Sequence, residues 1–334
     1  MQSFILAGGF ATRLWPLTER RAKPLLPVAG IPLLSTLVGQ IPGAVPVTVS
    51  TNAAFADDFK QWKKSVGKSD VRIIIEDAGH EDQKLGALGA VAQWITSENI
   101  DDDLLLLAGD NYVGCSMATF LAKFHGNPLI AGHDIADPEA AKAFGTIVLS
   151  STLPSPGSPA GPGGGGGGGD TVTSFEEKPE HPKSTIVSTG WWVLPKSVLP
   201  ILVDYSKAHP DNVGGIFEEL LKRTIPVECF VFKELWKDIG SFESYMSLHC
   251  DVVNGAKIIN PSATVSPDSE LQESIDLGPK TRVNKSVLRN CIAFGKSTIT
   301  DCVLDRCIID EDCVLEGVDL TDKMLRRGTI LRRR

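Results

Sequence analysis

The sequence predicts an α/β chain: one domain of alternating strands and helices, followed by a short C-terminal β-helix. Three observations lead there. Short apolar runs alternate with helical stretches through the first 250 residues. Two glycine corners, Gly8-Gly9 and Gly109-Asp110-Asn111, directly follow such runs. Beyond residue 255, Ile259, Val265, Leu271, Leu277 and Val283 recur at a spacing of six.

Taken in order, Ser3–Ala7 is an apolar run ending at Gly8-Gly9, and Val45–Ser50 is another, followed by a helical stretch over Ala53–Val66. The β-branched run Val71–Glu76 precedes a helical stretch over Leu85–Thr96, and Leu104–Ala108 reads as a buried strand. Strands alternating with helices predict βαβ units and a mixed, mostly parallel sheet. Ligands bind such sheets at the carboxyl ends of the strands, where both glycine corners fall. In the C-terminal part, small or β-branched residues often follow four positions later (Ala263, Ser269, Thr281, Val287), and the register loosens to five or six through Ile292, Ile299, Val303, Ile308 and Val314. A six-residue period marks a β-helix, since six residues rotate an α-helix by about 600° and cannot hold one face. The expected organisation is 1–253, then a β-helix of three to four coils over 256–320, then a solvated basic tail over 321–334 with Lys323, Arg326, Arg327, Arg332, Arg333 and Arg334.

Composition bounds the function classes. The 334 residues are 42% hydrophobic and 22% charged, enough for a large core in about two domains. A net charge of −8 argues against a general nucleic-acid binder. No apolar run approaches the roughly 18 residues of a membrane helix, and the start MQSFILAGG lacks the basic n-region of a signal peptide. Seven cysteines, an odd number, fit reduced thiols in a cytoplasmic protein. Glycine and proline are ordinary except in residues 154–170, which hold 9 Gly and 4 Pro. That stretch reads as an extended loop between the strand-like segments Gly145–Ser151 and Thr171–Phe175.

The chemistry concentrates in residues 5–33, ILAGGFATRLWPLTERRAKPLLPVAGIPL. Glycines let backbone N–H groups approach a phosphate, Arg13 can fork across two phosphate oxygens, and Lys23 adds a second positive charge. On spacing alone, an anion cradle and a charged surface loop fit equally.

The specific residues go further. Leu6, Ala7, Gly8, Gly9, Thr12, Arg13, Leu14, Pro16, Leu17 and Thr18, followed by Lys23-Pro24-Leu25-Leu26-Pro27-Val28, resemble the N-terminal signature of the sugar-1-phosphate nucleotidylyltransferases. Ala11 departs from it, standing where the family usually has a third glycine; a left-handed backbone there would strain it. Later segments resemble the rest of that family's site in order. Leu85-Gly86-Ala87-Leu88-Gly89-Ala90 is similar to the loop lining the nucleotide base, with Ala87 and Leu88 as departures that remove a hydroxyl and add bulk beside the base. Gly109-Asp110-Asn111 is similar to a magnesium-binding corner and Phe144-Gly145 to a sugar contact. Glu177-Lys178-Pro179 is similar to a motif holding a sugar hydroxyl and the sugar phosphate, and Ser188-Thr189-Gly190 to a sugar-site turn. Trp236-Lys237-Asp238-Ile239-Gly240 is similar to the motif carrying the second metal carboxylate.

The resemblance implies a Rossmann-like nucleotidyltransferase domain with a left-handed β-helix of hexapeptide repeats. It implies Mg²⁺-dependent transfer of a nucleotidyl group from a nucleoside triphosphate to a hexose 1-phosphate in nucleotide-sugar biosynthesis, with glucose 1-phosphate and dTTP or UTP slightly favoured over mannose 1-phosphate and GTP. The implied catalytic residues are Arg13, Lys23, Asp110, Lys178 and Asp238, with Asp110 and Asp238 on the metal. Leu6, Ala7, Gly8, Gly9, Thr12, Gly86 and Ala87 join Arg13, Lys23 and Asp110 around the nucleotide, and Gly145, Glu177, Lys178 and Thr189 hold the sugar phosphate.

Two other functions stand beside this one: an acyltransferase activity of the β-helix, disfavoured because all six histidines precede it, and a regulatory or binding homologue with weakened catalysis. A homo-oligomer is expected, with no nucleic-acid or membrane partner. Asp101-Asp102-Asp103 lies at the amino end of a strand and reads as a loop. Ala293-Phe294-Gly295-Lys296-Ser297 lacks the first glycine of a P-loop. Cys291, Cys302, Cys307 and Cys313 contain no C-x-x-C pair and read as thiols packed inside the β-helix.

Overall fold

Leu104–Ala108 consists of four leucines and an alanine, and the four leucines are buried. A strand buried on both faces belongs in the middle of a sheet, and there it lies in the computed structural model, which describes residues 1–68, 70–76, 85–150 and 170–333. The sheet has nine strands in the order Val71–Glu76, Val47–Asn52, Gln2–Leu6, Leu104–Ala108, Ile186–Leu194, Leu129–Asp134, Glu228–Phe232, Asp170–Glu177, Gly145–Leu149. Its first four strands are parallel. Beyond them Ile186–Leu194 runs antiparallel to both neighbours, and Asp170–Glu177 does the same. The sheet is thus mixed rather than mostly parallel: the second half is joined largely by reversals, which the alternation in the first hundred residues does not foreshadow. Helices Ala87–Ser97, Leu199–Ser206 and Gly215–Lys222 supply Val91, Trp94, Leu202 and Phe217 to the core, against Phe4, Leu106, Ile130 and Trp192. Trp191 and Trp192 are both buried, as core and wall.

The chain divides into two compact units. One comprises Met1–Gly9 with Leu37–Trp236, the other Phe10–Thr36 with Lys237–Arg334. The division does not follow the boundary read near residue 255. Helix Phe242–Val253 belongs with the C-terminal strands because its buried side chains bond to them: His249 Nε2 lies 3.2 Å from the Ser274 carbonyl. Just beyond its end, the Gly255 amide donates to Ser274 Oγ at 3.0 Å.

The C-terminal strands form two parallel sheets of five: Lys257–Ile259, Glu270–Leu277, Val287–Ala293, Val303–Ile309 and Asp319–Leu325 in one, and Thr264–Val265, Arg282–Asn284, Thr298–Thr300, Val314–Glu316 and Ile330–Arg332 in the other. The chain alternates between the two as it advances. The first turn takes 18 residues (Lys257 beside Ile275), the second starts at 17 (Glu270 beside Val287) and shifts to 16 (Ile275 beside Cys291), and the later ones take 16 (Val287 beside Val303, Val303 beside Asp319). Each long strand after the first turn contains a left-handed residue, namely Glu273, Asn290, Arg306 and Asp322.

The shorter turn shifts the buried register. The buried series is Leu277, Val283, Leu288, Ala293, Ile299, Leu304, Ile309, Leu315, at steps of six, five and five. The sequence pattern instead followed Val287, Val303 and Val314, one residue early; Val303 is 51% exposed. Ile292 and Ile308 are buried too, but as strand neighbours of Ala293 and Ile309 they face the other way. Residues 321–333 are not a solvated tail, because they supply the last strand pair, and Arg326 Nε reaches Glu19 Oε2 at 2.7 Å. Cys291, Cys302, Cys307 and Cys313 are free thiols inside this core, each Sγ donating to a backbone carbonyl.

The strands Gly145–Leu149 and Asp170–Glu177 pair antiparallel, Leu149 opposite Val172. The Gly/Pro-rich residues 154–169 between them lie outside the described residues. Among the described residues, no helix is long and apolar enough to cross a membrane.

Candidate functional site

In the sheet unit, the sequence-predicted residues sit at strand ends. The Gly109 amide donates to the Leu6 carbonyl at 2.9 Å, tying the two glycine corners together at the carboxyl ends of their strands. Asp110 is half-buried, and its Oδ1 accepts from Asn111 Nδ2 at 2.9 Å. Asn111 is itself held by Trp236 Nε1, which donates to its Oδ1 at 3.0 Å. A carboxylate aimed by an amide is thus built from two of the sequence motifs.

A residue that sequence reasoning missed stands beside Gly8. Glu76 ends its strand with Oε1 3.0 Å from where a Gly8 Cβ would be, and accepts from Ser50 Oγ at 2.5 Å. Burial raises its pKa, and the Ser50 hydroxyl works against that. Asn52 Nδ2 donates to the Gly8 carbonyl at 2.8 Å. A charged residue closing an apolar β-branched run (Val71–Glu76) was the signal available in the sequence.

At the far half of the sheet, Glu177 ends the strand Asp170–Glu177 and Lys178 follows it. Burial raises the Glu177 pKa, the Lys178 charge opposes this and Glu218 adds to it. The Lys178 ammonium is exposed, 3.8 Å from Glu177 Oε1, on a backbone with φ +47°. Gly145 clears space for this corner, since a Cβ there would stand 2.9 Å from Glu177 Oε2 and 2.5 Å from the Phe175 ring.

Packing accounts for three of the residues that the sequence singles out. Thr189 is fully buried and its hydroxyl donates to the Ala131 carbonyl at 2.8 Å, so its side chain is closed to a sugar. Thr189→Val is accordingly expected to cost about 1–2 kcal/mol of stability, with KM for the sugar phosphate changed by less than about twofold; unfolding and initial-rate measurements check both. Leu88 lies wholly in the core and adds no bulk beside a base. Gly86, at φ +80°, is demanded by close packing: a Cβ would fall 2.4 Å from the Pro210 carbonyl, which already accepts from the Leu88 and Gly89 amides. Those first-turn donors are therefore occupied, and Ala87 is half-buried beside them. Asp101, Asp102 and Asp103 bind Lys196 Nζ, the N-terminal amine and the Lys196 amide, in keeping with a structural role at a strand's amino end.

The second unit gathers Arg13, Lys23 and Asp238. Lys23 begins the 3₁₀ turn Lys23–Leu25 and is buried; its Nζ lies 3.1 Å from Asp238 Oδ1. Gly240 places the other Asp238 oxygen and Arg13 on one spot, with Asp238 Oδ2 2.9 Å and Arg13 Nη2 3.5 Å from where its Cβ would stand. Arg13 and Thr12 are exposed in the turn Thr12–Leu14. Two cations and a carboxylate, one cation exposed, suit a phosphate chain.

Ala11 caps that turn at φ +48°, ψ +46°. Its carbonyl accepts from Thr18 Oγ1 at 2.8 Å and from the Leu14 amide at 3.0 Å, so the strained conformation is held from both sides. A left-handed non-glycine residue costs about 1–2 kcal/mol, while glycine adds back roughly 0.4–1 through unfolded-chain entropy. Ala11→Gly is expected to raise stability by up to about 1 kcal/mol, seen as a higher thermal midpoint; a lower one would show that the turn carries no strain.

Comparison with known proteins identifies the family. The model of the nucleotidyl transferase family matches residues 2–255. A protein of Sulfolobus acidocaldarius provisionally assigned as a mannose-1-phosphate guanyltransferase is 26% identical, covering 87% of this chain and 75% of its own. A mannose-1-phosphate guanylyltransferase of Mycobacterium tuberculosis is 24% identical (92% and 83% covered), as is a glucose-1-phosphate adenylyltransferase of Clostridium perfringens (89% and 82%). A solved Bacillus anthracis structure, provisionally assigned as a glucose-1-phosphate thymidylyltransferase and holding sucrose, shares the fold at TM-score 0.59 and 21% identity, over 75% of this chain and 95% of that one. The matched span takes in every motif from Gly8-Gly9 to Asp238, and the chain belongs to the nucleotidyl transferase family as an enzyme of that class.

Proposed function

We propose that the protein transfers a nucleotidyl group from a nucleoside triphosphate to a hexose 1-phosphate. An oxygen of the sugar phosphate bonds to the α-phosphorus as the bond to pyrophosphate breaks, and the electron pair leaves on pyrophosphate. The observation that carries this reading is the Lys23–Asp238 pair with Arg13 at Gly240, and the names of the relatives supply the sugar 1-phosphate. Arg13 stabilises the departing pyrophosphate, Lys23 shares the phosphate charge, Lys178 orients the sugar phosphate, and Glu177 accepts from a sugar hydroxyl. Positioning and charge stabilisation dominate such transfers. No general base is required, because a phosphate monoester is ionised near neutral pH.

Magnesium fits the donor set. Among the described residues no group of three or more His, Cys, Asp or Glu could hold a metal alone, whereas Mg²⁺ commonly takes one or two carboxylates and completes its shell with phosphates and water. Asp110 and Asp238 are the carboxylates assigned to it. When bound, it neutralises phosphate charge.

For the base, Glu76 favours guanine. A carboxylate can accept from two adjacent donors, and the guanine N1–H and N2–H₂ edge offers them where uracil and thymine offer one N–H. Two of the four named relatives are guanylyltransferases. This reading puts GTP with mannose 1-phosphate ahead of dTTP or UTP with glucose 1-phosphate, the pair that the sequence slightly favours. In the same reading the C-terminal turns are a left-handed β-helix, the protein assembles with copies of itself, and it works in the reducing cytoplasm, where its seven free cysteines are at home.

The test is pyrophosphate release from a panel of nucleoside triphosphates and hexose 1-phosphates with Mg²⁺. GTP with mannose 1-phosphate is expected to turn over fastest. No turnover with any pair overturns the reading and leaves the non-catalytic homologue that the strained Ala11 keeps open.

A further inference from the structure

Lys23 sits on a segment with almost no structure of its own: a three-residue 3₁₀ turn and two strands of two residues, Pro27–Val28 and Ile31–Pro32. Strands that short do not hold a conformation unaided. The two-residue turn joining them has left-handed Ala29 and Gly30, at φ +51° and +76°, a hairpin geometry natural for glycine but strained for alanine.

The C-terminal coil grips this segment on both sides of Lys23. Two residues before it, Arg21 donates to Asp310 Oδ1 at 3.3 Å and to Glu311 Oε1 at 3.0 Å, with its guanidinium 4.7 Å over the Phe294 ring. After it, Tyr245 Oη donates to the Pro27 carbonyl at 2.5 Å, and the Gly30 amide donates to Asp276 Oδ2 at 2.7 Å. A cavity of about 330 Å³ opens beside the turn, lined by Gly30, Ile258, Asp276, Ile292 and Phe294.

Asp276 and Asp310 are only 3% and 6% exposed. Burying a carboxylate is costly, and burial raises the pKa of both, that of Asp276 to about 6. Buried polar pairs are weak stabilisers; their best-attested use is to fix a register. Both carboxylates are aimed at the one segment that carries Lys23.

We propose that Arg21 and Asp276 are positioning residues: through them the C-terminal coil sets where the Lys23 ammonium stands. The proposal rests on the nucleotidyl-transfer reading only for its catalytic consequence, since the placement of Lys23 is measurable by itself. The coil then acts in catalysis as a jig rather than as a second active site.

The experiment compares Asp276→Leu, Asp276→Asn and Arg21→Gln in the full chain. Two readouts are taken: kcat and KM for pyrophosphate release, and the rate at which trinitrobenzenesulfonate modifies Lys23, read by peptide mass. Asp276→Leu removes the acceptor for Gly30, and Arg21→Gln removes the guanidinium fork. Each is expected to lower kcat by about 10- to 100-fold with little change in KM, and to speed Lys23 modification by about fivefold or more. Asparagine still accepts from Gly30, so Asp276→Asn is expected to match the wild type on both. Unchanged Lys23 modification in folded Asp276→Leu and Arg21→Gln overturns the proposal whatever the rates show. If Asp276→Leu does not fold, Arg21→Gln decides alone. If the wild type turns over no substrate pair, the functional reading fails and the modification rates still judge the positioning.

Discussion

Asp110→Asn is expected to lower pyrophosphate release by about 10²- to 10³-fold while leaving the fold intact. The substitution is isosteric. An asparagine oxygen still accepts from Asn111 Nδ2, so the Trp236–Asn111–Asp110 chain of hydrogen bonds survives. What disappears is one negative charge, and with it the carboxylate proposed to hold a hard cation. Raising Mg²⁺ should therefore recover part of the rate, which a purely structural defect would not show. Near-wild-type kcat in Asp110→Asn removes this residue from the metal assignment.

Glu76→Gln is expected to change which nucleotide is used more than how fast the best one reacts. Glutamine presents one acceptor and one N–H₂ in place of two acceptors, so one guanine donor meets another donor. Leaving a buried polar group mismatched costs about 1–3 kcal/mol, so the ratio of kcat/KM for GTP to that for UTP should fall by about 10- to 100-fold. The Ser50 hydroxyl can still bond the glutamine oxygen, which keeps the strand end in place. An unchanged ratio would detach Glu76 from the base and reopen the pyrimidine nucleotides.

Much of the site was legible because glycine, arginine, lysine and aspartate keep their meaning at fixed offsets. Lys23 and Asp238 are far apart in sequence, yet each was identifiable from its own motif, and they meet at 3.1 Å. Legibility failed where three-dimensional packing reassigns a side chain. Thr189 looked like a ligand group until the neighbouring strand supplied Ala131 as its partner. Leu88 looked like pocket wall, but it turns into the core on the buried face of its helix. Glu76 lies in no motif, and its importance comes from strands that pair with register Ser50 beside Ile74 and Leu6 beside Ser50.

In the C-terminal turns the six-residue rule was right for one turn and wrong afterwards. A change from 18 to 16 residues per turn moves the core-facing position one residue along, from Val287, Ile292, Val303 and Ile308 to Leu288, Ala293, Leu304 and Ile309. The unit boundary was hidden for a related reason. Neither Phe10–Thr36 nor Lys237–Val253 changes in composition; their allegiance is declared only by bonds such as Tyr245 to Pro27.

That discontinuity has a consequence for the order of events on the ribosome. Arg21 bonds to residues 289 and 290 positions later in the chain. At synthesis rates of about 5–20 residues per second, roughly 15–60 s pass between the emergence of Arg21 and that of its partners. All nine strands of the large sheet are complete by Phe232, so that sheet can form while Lys23 still lacks the anchors that place it. A chain stopped shortly after Trp236 would own a finished sheet and an idle lysine, and nucleotide chemistry would begin only once the last turns of the coil had been made.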